Sequence, residues 1–227
     1  MPEFSSENAL VLSRRPLGET SWIISVLTSD HGRHVGVLKQ KKPPEIASFI
    51  SVRWQARLAE QMGRFYIEET KAFSVGFMDD KKRLACLGAL CALLDDTLPE
   101  RQSYPELYHA VIAFLNTLEN PDFLKKYVRL ESALLTALGF GLDTSQCAGG
   151  GDNNDLAYIS PKTGRAVSRE MGIPYHDKLL ILPRFLWQES IASLDDIRQG
   201  LHLTGYFLEQ HAVHHTLPKI REQLFSD

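Results

Sequence analysis

Three groups of residues in this 227-residue chain have types and spacings that could do chemistry. The first is Cys147, followed by Ala148 and the triplet Gly149 to Gly151. Zinc knuckles join thiolates to glycine-rich turns, because glycines let the backbone curl around a metal, but a structural zinc wants four ligands. Cys86 and Cys91 stand five apart in an apolar helical run and face different directions, so they do not join Cys147 easily. The second group is His211, His214 and His215, an HxxHH near the end of a helical stretch. A polar helix end is the reading taken, since imidazolium suits the negative end of the helix dipole. The third group is cationic: Arg14, Arg15, Arg33, His34, Lys39, Lys41, Lys42, Arg53, Arg57 and Arg64 lie in or beside alternating apolar segments.

Scattered Lys and Arg suit sequence-independent contact with a phosphate backbone. Barrel modules that hold single strands pair such a groove with aromatic platforms. Trp22, Trp54, Phe65 and Tyr66 are available, although Trp22 and Trp54 alternate in step with aliphatic residues and read as core. Residues 1–78 carry a balance of +2 and residues 79–227 one of −5, giving the net −3. A polyanion is therefore expected on the N-terminal part. A further cluster, Lys125, Lys126 and Arg129, lies within one helical turn beside Phe123, Tyr127, Leu130 and Leu134. A solvated helix face accounts for such a run, and so does a basic grip beside an apolar groove for an acidic, aromatic-ended peptide.

Enzyme motifs are missing. The chain has no GxxxxGK[ST], no GxGxxG after a strand and no HExxH, and the glycine triplet follows a helix rather than a strand. No catalytic residue is assigned. No stretch reads as a secretory leader or a bilayer-crossing run, and three cysteines make no disulfide framework, so a cytosolic protein is expected.

The elements that position these residues change character near residue 79. Before it, ALVLS, SWIISVLT, HVGVLK, FISVRWQARLAEQ and RFYIEETKAF read as five strands with hairpin punctuation, enough for a small closed barrel. An SH3-like barrel fits that count as well. In the fourth strand Val52, Trp54, Ala56 and Leu58 share one face, and Arg53, Gln55 and Arg57 the other. After residue 79 the period is helical: Asp79-Asp80 opens one helix, Ser103 and Glu106 form a capping box for the next, and Asn120-Pro121 starts a third that ends near Gly139. A hairpin from Tyr158 to Val167 reverses at Pro161-Lys162-Thr163-Gly164, a long helix begins with Ser193 or Asp195 near its cap, and LPKIREQLF closes the sequence as a short helix. The division expected is a barrel at 1–78 and a helical domain at 79–227, with 145–170 as an insert.

The chain resembles the RecO recombination mediators of bacterial DNA repair. The resemblance rests first on ALVLSRRPLGETSWIISVLTSDHGRHVGVLKQ, where Arg15-Pro16-Leu17-Gly18-Glu19 and Thr28-Ser29-Asp30-His31-Gly32-Arg33 fill the family's R-P-x-G-E and T-x-x-H-G-R places. It continues through WQARLAEQMGRFYIE, RQSYPELYHAVIAFLNTL, LLTALGFGLDTSQCAGGG and FLEQHAVHHTLPKIREQLF. It implies an α+β protein with an N-terminal five-stranded OB-fold barrel and a mainly helical domain carrying the hairpin. It implies binding of single- and double-stranded DNA, annealing of complementary strands, and work with RecR to load RecA onto DNA coated by single-stranded DNA-binding protein. That coating protein's acidic tail docks on the helical domain in the family, which by region falls near Lys125, Lys126 and Arg129. Many members hold zinc with four cysteines in the insert; this chain keeps Cys147, has Gly150 in a partner's place, and has no thiol in ISPKTGRAVSRE. The insert therefore reads as a degenerate zinc-finger-like element without metal.

Overall fold

Period-two alternation in the N-terminal third does produce strands. The computed structural model describes residues 2–58, 61–71, 79–214 and 216–225. Strands β1 (Glu3–Leu17), β2 (Ser21–Thr28), β3 (Gly32–Leu38), β4 (Phe49–Gln55) and β5 (Gly63–Lys71) close a barrel in the order β1-β2-β3-β5-β4. This five-stranded closed barrel is the expected OB-fold. Its core holds Ala9, Val11, Ile24, Val26, Leu38, Ile50, Val52, Trp54, Ala56 and Phe65. Each large aliphatic or aromatic member contributes roughly 1.5–3 kcal/mol by leaving water.

Strand β1 is much longer than ALVLS. Its first half pairs with β4, from Glu3↔Gln55 to Leu10↔Phe49, and its second half with β2, from Leu10↔Leu27 to Leu17↔Ser21. Register shifts between Ser6 and Ala9, and between Val11 and Ser13, bend the strand so that it serves both neighbours. Strand β4 is shorter than expected. Trp54 and Ala56 are buried as the alternation requires, but the chain bends after Gln55 and leaves Leu58 exposed. The end of the fifth expected segment, at Ala72 and Phe73, lies outside the described residues, as do Ala59 and Glu60 of the fourth.

The barrel closes where β3 and β5 run parallel over three pairs, Gly36↔Gly63, Val37↔Arg64 and Leu38↔Phe65. The Trp54 ring lies against the Gly63 backbone there, so that a Cβ on Gly63 would fall 2.2 Å from it.

Helix α1 (Lys81–Thr97) is capped by Asp80, whose side chain accepts from Arg83 N–H at 2.9 Å. Helices α2 (Pro105–Leu115) and α3 (Phe123–Ala137) follow. Ser103, placed at the start of α2 by the sequence, donates its hydroxyl to the Ser29 carbonyl at 2.7 Å. Helix α3 ends as a Schellman motif, with Phe140 N–H on the Leu135 carbonyl and Gly139 N–H on that of Thr136. The hairpin is β6 (Leu156–Ile159) and β7 (Ala166–Ser168), turned by Gly164 N–H to the Ser160 carbonyl at 2.9 Å. Strand β8 (Leu180–Ile181) joins β6 on its other side, and α4 (Arg169–Gly172) follows β7. Helix α5 (Leu194–His211) starts in a full capping box made by Ser193 and Asp196. A 3-10 helix, Lys219–Leu224, replaces the short closing helix.

Contacts divide the chain into two compact units, Met1–His109 with Pro218–Asp227, and Ala110–Leu217. Helix α1 therefore clusters with the barrel, and its Gly88 receives Ile220 of the 3-10 helix. In the other unit α5 packs on α3, with Gly200 against Val128 and Phe185, and Thr204 donating to the buried Glu131. No helix among the described residues is long and apolar enough to cross a membrane.

Candidate nucleic-acid interface

Where β3 ends at Leu38 and β5 runs on past Phe65, a cleft of about 470 Å³ opens on the barrel. Val37, Lys39, Gln40, Arg64, Tyr66 and Ile67 line it. Alternation along β5 turns Phe65 into the core and leaves Arg64 and Tyr66 outside, Tyr66 with 44% of its surface exposed. On the neighbouring strand Arg53 pairs with Tyr66 in register and sets its guanidinium 5.3 Å from the ring centroid. Lys39, Arg53 and Arg64 enter no ion pair among the described residues. Two arginines and a lysine around an exposed phenol can hold phosphates and stack a base together.

The other cations named from the sequence are placed differently. Arg14 spans to the segment after β3, donating to the Pro44 carbonyl at 3.2 Å and to Glu45 at 2.7 Å. Arg33, its side chain 15% exposed, donates through Nε to the Leu98 carbonyl at 2.7 Å and meets Asp95 at 3.3 Å and Glu100 at 3.9 Å. It braces the barrel against the end of α1. His34 is 6% exposed. Burial first, then the charges of Arg101 and His31, push its pKa down to about 4, so it is neutral at pH 7. Arg15, Lys41, Lys42 and Arg57 are exposed, and none enters an ion pair among the described residues.

One constellation has no counterpart in the sequence reading. His31, Phe4 and Trp54 stack in succession, with centroids 4.3 and 5.6 Å apart, and Arg101 lies 5.6 Å from the Trp54 ring centroid. Arg101 sits in a loop at φ 65° and is pinned by its NH2 to the Gln61 carbonyl at 2.9 Å and by its N–H to the Arg33 carbonyl at 2.7 Å. A loop arginine carries no periodic signal, and only contacts between distant residues reveal it.

In the helical unit the basic trio separates. Lys126 and Arg129 line a groove of about 310 Å³ between α2 and α3, floored by Ala110, Ala113, Phe114 and Leu130. Lys125 points elsewhere: its side chain is 11% exposed, and its ammonium is held by Glu189 and the Ser190 carbonyl. Lys126 pairs with Asp122 at 3.2 Å. Arg129 donates twice to the Phe185 carbonyl, at 2.9 and 2.7 Å, and meets Glu189 at 2.7 Å. Lys125 and Arg129 hold the Glu189 carboxyl below the usual carboxylate range.

Around the hairpin, Cys147 is buried and its sulfur accepts the Ser168 N–H at 3.1 Å. Burial raises its pKa, but hydrogen bonds from the Ser168 side chain and backbone and from Gly151 and Gly149 outweigh it and bring the value to about 7. A Cβ on Gly151 would lie 2.2 Å from Ser168 Oγ, which accounts for a glycine at that position. These residues do not fit zinc. The set offers one thiol, while Asp152 accepts from Asn154 and Asp155 from Arg169. No metal-holding group of three His, Cys, Asp or Glu occurs among the described residues. His211 stacks on Phe140 with centroids 5.0 Å apart, His214 is exposed, and His215 lies outside the described residues.

Comparison with known proteins puts these features in a family. Residues 1–69 match the model described as Recombination protein O N terminal, and residues 78–219 that described as Recombination protein O C terminal. A protein named DNA repair protein RecO from Rhodospirillum centenum is 44% identical over 214 residues, covering 91% of this chain and 86% of the relative. A protein of the same name from Rhodospirillum rubrum is 40% identical over 222 residues, with 92% and 88% covered. Another, from Cereibacter sphaeroides, is 42% identical over 214 residues, with 92% and 89% covered. From its OB-fold barrel through its helical half, the chain belongs to the RecO family.

Proposed function

We propose that this chain is a non-enzymatic recombination mediator of DNA repair. In this reading it binds single- and double-stranded DNA, anneals complementary strands, and works with RecR to load RecA onto DNA coated by single-stranded DNA-binding protein. The observation that carries it is the cleft at the β3–β5 seam of an OB-fold barrel, lined by Lys39, Arg64 and exposed Tyr66, with Arg53 of β4 over the Tyr66 ring. Annealing brings two polyanions together, so it needs phosphate neutralisation at low specificity, which such a cleft supplies without any reacting group. Arg15 on β1, and Lys41, Lys42 and Arg57 in the segments that follow β3 and β4, are further exposed cations of the barrel unit available to the same phosphate backbone.

The test is the salt dependence of binding to a labelled oligothymidylate. Replacing Lys39, Arg53 and Arg64 together by alanine removes up to three phosphate contacts. The log–log salt slope should fall by roughly 2, and annealing should slow with it. A slope unchanged from wild type would refute the site.

A second reading, an adaptor for the acidic tail of single-stranded DNA-binding protein with incidental DNA contact, is favoured by the α2–α3 groove. Small alanines open an apolar floor beside Lys126 and Arg129. An aromatic side chain fits such a floor while the two cations meet carboxylates. A tail peptide that binds wild type but not a Lys126→Ala, Arg129→Ala variant supports that contact. If the variant still anneals naked DNA, the two surfaces act separately.

A further inference from the structure

The cations beside the α2–α3 groove already carry carboxylates supplied by the chain itself. Asp122 meets Lys126 one helical turn away, and Glu189 reaches Arg129 from a distant loop. Glu189 is placed as a bridge: one oxygen faces Lys125 Nζ and the other lies 2.7 Å from the Arg129 NH2. Its own side chain is 72% exposed, so the pair with Arg129 sits in water, where ion pairs are weak and exchange readily. The ammonium of Lys125, by contrast, is nearly enclosed and also donates to the Ser190 carbonyl at 2.8 Å.

The loop that carries Glu189 is fixed at its ends, and between them Lys125 holds the Ser190 carbonyl while no residue from Trp187 to Ala192 is buried. Phe185, buried, fixes the entry, and the Ser193–Asp196 capping box fixes the exit. Between them Ile191 is 99% exposed. A segment with secured ends and little apolar anchorage opens at low cost.

Resting on the reading of the groove as an acidic-peptide site, we infer that Glu189 is a built-in competitor: its carboxylate occupies Arg129 in place of a partner's and is displaced when an acidic, aromatic-ended peptide docks. Lys125 is then a positioning residue that keeps Glu189 close, and Arg129 is the cation exchanged. The peptide's aromatic end takes the alanine-floored groove, and its carboxylates take over Arg129 and Lys126. The competitor sets a threshold, so that a single stray carboxylate is refused and a peptide supplying both charge and an apolar anchor is accepted.

The experiment is fluorescence anisotropy with a labelled oligo-aspartate peptide ending in phenylalanine, titrated with the full chain at low and moderate salt. Glu189→Gln and Glu189→Ala should each bind roughly two- to fivefold tighter than wild type, the range that losing one exposed ion pair allows. Adding Arg129→Ala to either should erase the gain. Thermal melts show that both variants are folded. Equal or weaker binding by folded Glu189→Gln and Glu189→Ala, with wild type still binding, overturns the competitor and leaves the groove intact. A peptide bound by neither wild type nor Glu189 variants removes the groove reading itself.

Discussion

Acidification should destabilise the barrel through one side chain, His34. Its imidazole lies between Phe4 and Trp54, with centroids 4.6 and 5.1 Å away, and beside a fixed arginine charge. Folding lowers its pKa from 6.5 to about 4. Above pH 6.5 both folded and unfolded chains hold it neutral, and it has no effect on the pH dependence. Between 6.5 and 4 the unfolded chain binds a proton that the folded one refuses, so stability falls as pH falls. The loss reaches about 2 kcal/mol at pH 5 and levels off near 3.4 kcal/mol below pH 4, at about 1.36 kcal/mol per unit. The assay is urea unfolding at pH 7.5 and pH 5.0, for wild type and His34→Gln, followed by tryptophan fluorescence in proteins whose Trp187 is replaced by phenylalanine so that only Trp22 and Trp54 of the barrel unit report. The variant begins less stable, because it loses ring packing. Its further loss on acidification should be smaller than that of wild type by about 2 kcal/mol, since every other titrating group is common to both. Equal acid losses in the two proteins would refute the assignment of this imidazole as neutral and buried.

Replacing Arg33 by alanine should cost about 2 kcal/mol in a denaturant titration, because a charged hydrogen bond to the Leu98 carbonyl is removed, while DNA affinity changes little. Wild-type stability with reduced DNA binding would show that it contacts DNA instead. Gly32→Ala should be worse, by about 3 kcal/mol or more. At φ 68° its new Cβ would fall 1.9 Å from the Gln102 carbonyl oxygen, so strain and backbone collision add, and a normal melting curve would contradict the packing described. Ser193→Ala should lower the stability of the helical unit by about 1 kcal/mol through loss of the α5 cap, measurable as faster amide exchange in the first turn of that helix.

Local rules carried far in this sequence. Alternation in FISVRWQ put Trp54 inside and Arg53 outside, and Gly139, Asp80 and Ser193 marked helix ends where the chain does stop and start. The first half of β1 was less legible because its residues Ser5, Ser6, Glu7 and Asn8 are polar on both faces, and only pairing with β4 reveals the strand. Leu84, Leu87, Leu90, Cys91 and Leu94 read as one stripe of helix α1, but Ala85, Cys86, Ala89 and Leu93 are buried too, and an apolar stripe does not say that the helix clusters with the barrel. For the candidate site the limit is sequence distance. The seam cleft joins residues 37–40 to 64–67 through a three-pair parallel contact that no local pattern encodes. Arg33 and Lys125 looked like free cations because Asp95 and Glu189, which answer their charges, stand 62 and 64 residues away.

The barrel unit also has a particular relation to time. It comprises Met1–His109 and Pro218–Asp227, so the whole of Ala110–Leu217 is synthesised between its two pieces. The 3-10 helix that seats Ile220 against Gly88 of α1 is thus made only after the whole of the inserted unit. Until then a face of α1 stands uncovered, while the intervening unit already has all of its own residues. Vectorial synthesis therefore lets the inserted unit consolidate first and makes the barrel unit, although begun first, the later of the two to be completed.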